Sequence, residues 1–100
     1  MILHTVNKSP FEKNSLERCI ESAKDGAAIL LIEDGVYGAL NNTAYSDMAQ
    51  NAMKTVKIYA LAPDVQARGV GDRVLDGVEL VDYNGFVDLA ESHSKVQAWL

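Results

Sequence analysis

Cys19 is the residue of this sequence with the most distinctive chemistry, because a thiolate can attack a persulfide or disulfide sulfur and carry a sulfur atom. It is the only cysteine among 100 residues, so no internal disulfide can form. Leu16, Ile20 and Ala23 lie at helical spacing from it and are apolar, and a buried free cysteine often packs as a small hydrophobe. The residues alone leave both roles open, a sulfur-carrying thiol and a packing side chain.

Polar side chains also follow the predicted strands, at the edge of an open α/β sheet where ligands commonly bind. The residues concerned are Asn7, Ser9, Glu33, Asp34, Asp64, Asp82 and Asn84. They could line a polar crevice, and the adjacent Glu33 and Asp34 could act as an acid and base pair. Asn, Asp and Ser also occupy such loops because they cap helices, so a structural role is the alternative for each of them.

Several other kinds of site are disfavoured by the sequence. Residues 7–15 contain no glycine, whereas a phosphate cradle usually needs a glycine-rich turn that brings backbone amides close to the ligand. His4, His93 and Cys19 lack the spacing of metal ligands. We therefore expect no cofactor, no metal and no independent nucleotide site, and we expect His4 to be a hydrogen-bonded, partly buried strand residue.

The elements that position these residues alternate between strand and helix. The pattern predicts strands over residues 2–6, 27–32, 56–61, 78–81 and 96–100, a helical turn over 36–40, and helices over 16–24, 45–53, 63–69 and 86–93. Asn14 with Glu17, Thr43 and Asn84 are the expected helix caps. The run 27–32 is apolar at every position, which is typical of a central strand covered on both faces.

This order, with right-handed crossovers, predicts a three-layer α/β/α sandwich around a five-stranded, mainly parallel sheet. Residues 1–100 are expected to form a single domain, with residues 96–100 as an edge strand. The strand order does not follow from periodicity.

The composition is that of an acidic globular domain, with 48% hydrophobic residues and 14 acidic against 9 basic side chains. A net charge of −5 disfavours direct nucleic-acid binding, which needs a basic surface. The longest apolar stretch has six residues, whereas a membrane span needs about 20. The N-terminal residues 1–6 contain only a short apolar run and no basic leader, so we expect no signal peptide. We therefore expect a soluble, cytoplasmic protein without a membrane partner.

The sequence resembles the DsrH/TusB family in blocks that run in order along the whole chain. These blocks are ILHTVNKSPF at 2–11, LIEDGVY at 31–37, YAL at 59–61, Asp64, ARG at 67–69, VDY at 81–83, GFVDL at 85–89 and VQAW at 96–99. The resemblance implies the DsrE-like α/β fold of the smallest subunits of sulfur-relay complexes.

Two kinds of complex are implied by that resemblance. DsrEFH complexes pass sulfur toward the carrier DsrC in dissimilatory sulfur oxidation, and TusBCD complexes pass it to TusE for 2-thiolation of the tRNA wobble uridine. Both assemble as dimers of heterotrimers, and the principal persulfide cysteine belongs to DsrE or TusD. A chain of this family is therefore not expected to be an enzyme on its own.

Cys19 matches a first-helix cysteine of DsrH proteins, which TusB proteins generally lack. On this basis we expect a DsrEFH-type subunit in which Cys19 is a secondary persulfide carrier or regulatory thiol, bound to DsrE- and DsrF-like subunits and a DsrC-like carrier. The alternatives are a TusB-like subunit with TusC- and TusD-like partners and a TusE-like carrier, or a purely structural subunit. Val36, Tyr37, Leu40 and Trp99 are candidate interface residues, with core packing as the alternative for each.

Overall fold

The computed structural model describes residues 1–100, and all five of its strands run parallel in one sheet. The strands are β1 (Ile2–Val6), β2 (Ala28–Leu31), β3 (Lys57–Leu61), β4 (Glu79–Val81) and β5 (Lys95–Trp99). Their order across the sheet is β4-β3-β2-β1-β5. The predicted five-stranded parallel sheet is confirmed, and so is the placement of the last strand at an edge.

Four helices and two 3₁₀ segments connect these strands. They are α1 (Ser15–Ser22), α2 (Ser46–Ala52), α3 (Ala62–Ala67) and α4 (Tyr83–Ser92), with 3₁₀ turns over Glu33–Ala39 and Gly71–Arg73. The longest helix, α4, has ten residues, and none of the helices combines the length and apolar character needed to cross a bilayer.

β2 occupies the middle of the sheet because its side chains are apolar on both faces. All four of its residues are buried. Ile29 and Leu31 belong to the large core cluster on one face, and Ala28 and Leu30 to a smaller cluster on the other. The uninterrupted apolar run therefore requires cover on both faces, as the sequence predicts.

The two faces receive very different cover. Strands β1, β2, β3 and β4 are neighbours in that order across the sheet, so the three right-handed crossovers between them place α1, α2 and α3 on the same face. On this face, 17 buried residues form the main core. The return from β4 to β5 places α4 on the opposite face, over a cluster of three buried residues. The result is the expected three-layer α/β/α sandwich, with one thick helical layer and one thin one.

The expected helix caps differ from the observed ones. Asn14 precedes α1 but makes no side-chain capping bond, so the capping box with Glu17 is wrong. Thr43 lies three residues before α2, and its Oγ1 accepts a 3.1 Å hydrogen bond from the Tyr45 amide instead of capping the helix itself. Asp82, not Asn84, caps α4, and its Oδ1 accepts a 2.8 Å bond from the Gly85 amide. The N-cap positions of α1 and α2 have no side-chain capping bond, and only α4 has one. The exact helix start decides whether a nearby polar side chain can reach the free amides.

Element bounds also differ from the sequence prediction by a few residues. α1 ends at Ser22 instead of Lys24, and the 3₁₀ turn begins at Glu33, earlier than the predicted 36–40. Glu33 begins that turn in the left-handed region at φ +49°, which is uncommon for a residue with a side chain. The backbone amide of Glu33 donates a hydrogen bond to the side chain of Asp64, and this bond stabilises the turn.

Gly35 is required by a close approach between the 3₁₀ turn and β1. A Cβ atom at this position would lie 2.1 Å from the Val6 carbonyl oxygen, which already accepts the Ile32 amide. Because the obstacle is backbone, it cannot move aside as a side chain would. We expect Gly35→Ala to lower the free energy of unfolding by about 2–3 kcal/mol, as measured by urea unfolding.

Gly71→Ala is the matched control for this substitution. A Cβ at Gly71 would meet nothing nearer than a Val65 methyl group at 3.9 Å. We expect this variant to differ from the parent by no more than about 0.5 kcal/mol. Equal effects of the two substitutions would contradict the steric explanation.

Candidate functional site

An ion pair joins the 3₁₀ turn that follows β2 to the C-terminal end of α3, at the carboxyl edge of the sheet. Arg68, just after α3, donates from Nε and Nη2 to Oδ1 of Asp34 at 3.0 and 2.8 Å. Its Nη1 donates to the Asp64 carbonyl at 3.1 Å, and the guanidinium lies 6.0 Å from the centre of the Tyr37 ring. The hydrogen bonds to Asp34 raise the pKa of Arg68 above its ordinary value, so the side chain stays charged.

Asp64 holds the strained start of the 3₁₀ turn. Its Oδ2 accepts the Glu33 amide at 2.7 Å, across 31 residues of sequence. With the Arg68–Asp34 pair, this bond ties the 3₁₀ turn after β2 to α3 and its C-terminal end at two points. The cluster therefore links these two elements across the edge of the sheet.

Glu33 and Asp34 do not form an acid and base pair. The Asp34 carboxylate is bound by Arg68, whereas Glu33 is exposed and uses its backbone amide to bind Asp64. The two adjacent carboxylates therefore have different surroundings, one held by a guanidinium and the other open to solvent.

The remaining polar residues of this edge act mainly within their own loops. The buried Ser9 accepts the Phe11 amide at 3.2 Å through Oγ. The side-chain oxygen of Asn7 is buried without a hydrogen-bond partner, which is rare in folded proteins. Asp82 and Asn84 lie at the start of α4, where Asp82 accepts the Gly85 amide, and neither makes a hydrogen bond to the Arg68–Asp34 pair.

Cys19 lies in the main core. It is on the buried face of α1 with Leu16, has no exposed surface, and belongs to the same cluster as Val6 and Ile29. No hydrogen bond or basic group activates the thiol, and burial raises its pKa to about 12. The buried thiol therefore stays protonated at neutral pH, and it reacts as a thiolate, so this conformation offers little nucleophile.

His4 and Trp99 form a pair across the neighbouring strands β1 and β5. The indole Nε1 donates to His4 Nδ1 at 3.0 Å, and the ring centres are 6.1 Å apart. An indole nitrogen can only donate, so His4 Nδ1 must be unprotonated and the imidazole neutral. Burial also lowers the pKa of His4, which confirms the expected buried, hydrogen-bonded strand histidine.

The four candidate interface residues occupy two kinds of position. Val36 and Leu40 are buried in the chain's own core, so in this conformation they have the core-packing role that was the alternative for them. Tyr37 is half-buried beside Arg68, and Trp99 is half-buried with its polar atom bound to His4. Apolar residues after a central strand pack inward here because the 3₁₀ turn folds back over the sheet.

The structure does not bring together three or more His, Cys, Asp or Glu side chains in a group that could hold a metal ion. A shallow cavity of about 240 Å³ lies between the first loop and α2, where Phe11 meets Tyr45 edge-on at 5.0 Å. No side chain of an expected catalytic residue lines it.

The burial of Cys19 predicts slow modification of its thiol. We expect the native chain to react with a disulfide reagent at about pH 8 at least about a hundredfold more slowly than the chain unfolded in urea. The matched control is Ser22→Cys combined with Cys19→Ala, because Ser22 is exposed on the same helix. Native Cys19 reacting as fast as the cysteine at position 22 would contradict the buried geometry.

The His4–Trp99 pair predicts a pH dependence of stability. Because the folded-state pKa of His4 lies below its ordinary value of 6.5, the unfolded chain binds more protons in this range, and stability present above pH 6.5 is lost as pH falls through the lowered pKa. We expect His4→Gln to lose less unfolding free energy than the parent between about pH 7.5 and about pH 5. If the unfolding free energy of the two proteins changed equally with pH, the lowered pKa of His4 would not be the cause of the pH dependence.

Comparison with known proteins gives one consistent result along the whole chain. Residues 8–96 match the family described as DsrH like protein. Protein TusB of Pectobacterium parmentieri is 36% identical over 99 residues, which cover 98% of this chain and 100% of that protein. Protein TusB of Shigella flexneri is 34% identical over 98 residues, with the same coverage.

A solved structure supports the same fold. The ychN protein from E. coli superposes with a TM-score of 0.81 over 97% of both chains, at 17% sequence identity. At that identity the likeness concerns the fold alone, whereas the family match and the two relatives rest on sequence. The chain therefore belongs to the DsrH/TusB family, as its sequence blocks indicate.

Proposed function

We propose that this chain is the TusB-type subunit of a cytoplasmic sulfur-relay complex that serves 2-thiolation of the tRNA wobble uridine. The observation that carries the proposal is the end-to-end similarity to proteins named TusB, at 34–36% identity with no part of those proteins left uncovered. Its partners are TusC- and TusD-like subunits, arranged as a dimer of heterotrimers, and its complex delivers sulfur to a TusE-like carrier.

This proposal replaces sulfur oxidation, which we expected first, as the preferred pathway. Cys19 was the residue that favoured a DsrEFH-type complex, and its thiol is buried with a pKa raised to about 12. A relay cysteine must reach the donor and the acceptor thiol, and it reacts as the thiolate. We therefore propose a packing role for Cys19, with the sulfur-carrying cysteine on a partner subunit.

A subunit without its own reactive group contributes by shape and binding. The ion pair and the hydrogen bond at the carboxyl edge join the 3₁₀ turn after β2 to α3. Such a rigid edge suits a surface presented to other chains. The acidic charge also agrees with a role one step away from tRNA, which a downstream enzyme would bind.

The test is restoration of tRNA thiolation in a bacterial strain whose TusB-type gene is deleted. We expect this chain, expressed with its own TusC- and TusD-like partners, to restore 2-thiouridine in tRNA, measured by mass spectrometry of nucleosides. The variant Cys19→Ala should restore it to within about twofold of the parent, because the thiol only packs.

Two controls make the result decisive. The partners expressed without this chain should give no 2-thiouridine, and a western blot should show equal levels of the parent and the Cys19→Ala variant. Absence of 2-thiouridine with the parent chain would contradict the tRNA pathway. Restoration by the parent but not by an equally abundant Cys19→Ala variant would contradict the packing role alone.

A further inference from the structure

A small cavity lies at the amino edge of the sheet, opposite the edge that holds the Arg68–Asp34 pair. Strands β1 and β2 begin at this edge, and α1 ends there. The cavity has a volume of about 180 Å³ and is partly open to solvent. Its walls are formed by Met1, Ile2, His4, Ser22, Lys24, Ala27 and Gln97. None of these residues belongs to the ion-pair cluster, so the cavity is a separate feature of the fold.

His4 directs one ring nitrogen toward this cavity. Its Nδ1 accepts the Trp99 indole, and Trp99 lies two residues nearer the carboxyl edge than Gln97, the register partner of His4. The two nitrogens of an imidazole point away from each other, so Nε2 faces back toward the amino edge. Because Nδ1 is unprotonated, Nε2 carries the ring proton and is a hydrogen-bond donor.

This donor has no partner within the protein, although His4 is only 3% exposed. The buried side-chain N and O atoms that lack both solvent contact and a hydrogen bond are limited to Oδ1 of Asn7. The Nε2 atom is therefore not sealed off, and its small accessible surface opens to the cavity that His4 lines. A donor held in a buried ring normally has an acceptor, and here the acceptor must come from the cavity.

The charges at this cavity favour an anionic acceptor. Lys24 is the one charged residue in its walls, and the Lys24 ammonium makes no ion pair. Lys95 projects from the same face of β5 as Gln97 and is also unpaired. The adjacent acid Asp25 is exposed and does not line the cavity.

We propose that this cavity binds a small molecule that has a carboxylate and a short apolar body. The carboxylate accepts hydrogen bonds from His4 Nε2 and Lys24 Nζ, and the apolar body packs against Met1, Ile2 and Ala27. A cavity of about 150 Å³ holds a benzene-sized molecule, which limits the ligand to roughly that size. The proposal goes beyond the sulfur-relay function and does not depend on it.

The test is an NMR titration of the isotope-labelled full chain with benzoate at constant pH and ionic strength. The chain has one tryptophan, so the Trp99 indole N–H gives a single signal that reports directly on His4. We expect benzoate to shift this signal and the amides of Ile2 and Ala27 in a saturable way, with a Kd of about 1 mM or tighter.

Two compounds of similar size test the chemical class of the ligand. Benzyl alcohol has the same ring without a charge, and benzylammonium has the ring with a positive charge. Because the donors at the cavity require an anionic acceptor, we expect both compounds to bind at least about tenfold more weakly than benzoate.

Lys24→Met tests the cation, because it removes the charge and keeps most of the apolar stem. We expect it to weaken benzoate binding by at least about tenfold. Lys8→Met is the matched control, because Lys8 is exposed at the opposite edge of the sheet, and it should change the affinity by less than about twofold. Ala27→Leu fills the cavity and should abolish binding, and the spectrum of each variant shows whether it is folded.

Three results would overturn the proposal. The first is the absence of a saturable shift at Trp99 with benzoate up to about 20 mM. The second is equal binding of benzoate and benzyl alcohol, which would remove the role of the carboxylate. The third is benzoate binding that folded Lys24→Met leaves unchanged, which would place the ligand outside this cavity.

Discussion

The burial of β2 on both faces is the constraint on which the rest of this structure depends. A strand with apolar side chains on both sides lies in the middle of a sheet and needs a helical layer above and below. The chain meets this need unequally, with three helices on one face and α4 alone on the other. The face with three helices holds the thiol in the core, and the face with α4 alone has a cluster of only three buried residues.

The polar residues at the carboxyl edge of the sheet serve the same architecture. Asp64 in α3 accepts the Glu33 amide, and Arg68 just after α3 binds the Asp34 carboxylate. These contacts hold the 3₁₀ turn after β2 against α3. Gly35 lets the 3₁₀ turn lie directly against β1. Asp64, Arg68 and Gly35 all lie in sequence blocks that resemble the family, and in the structure they join neighbouring elements of the fold.

The sequence predicted those parts of the fold that depend on hydrophobic periodicity and on the alternation of strands and helices. The apolar run 27–32 identified the central strand, and right-handed crossovers produced the parallel three-layer architecture. Helix caps were harder to predict, because Asn14, Thr43 and Asn84 are all suitable capping residues until the exact start of each helix is known. Interface residues were also harder to predict, because Val36 and Leu40 would be apolar in a core and in an interface alike. The periodicity of α1 did place Cys19 on an apolar face, whereas the position of α4 alone on the opposite face of the sheet could not be predicted because it depends on the strand order.

The central claim is that this chain contributes to sulfur transfer by binding, with its own thiol left in the core. The most direct measurement is mass spectrometry of cysteine peptides from the assembled complex after incubation with a persulfide donor and alkylation. The account predicts an added sulfur on the partner's cysteine and an unmodified Cys19 peptide. A persulfide on Cys19 that appears with the partner's and disappears on addition of the carrier would contradict it.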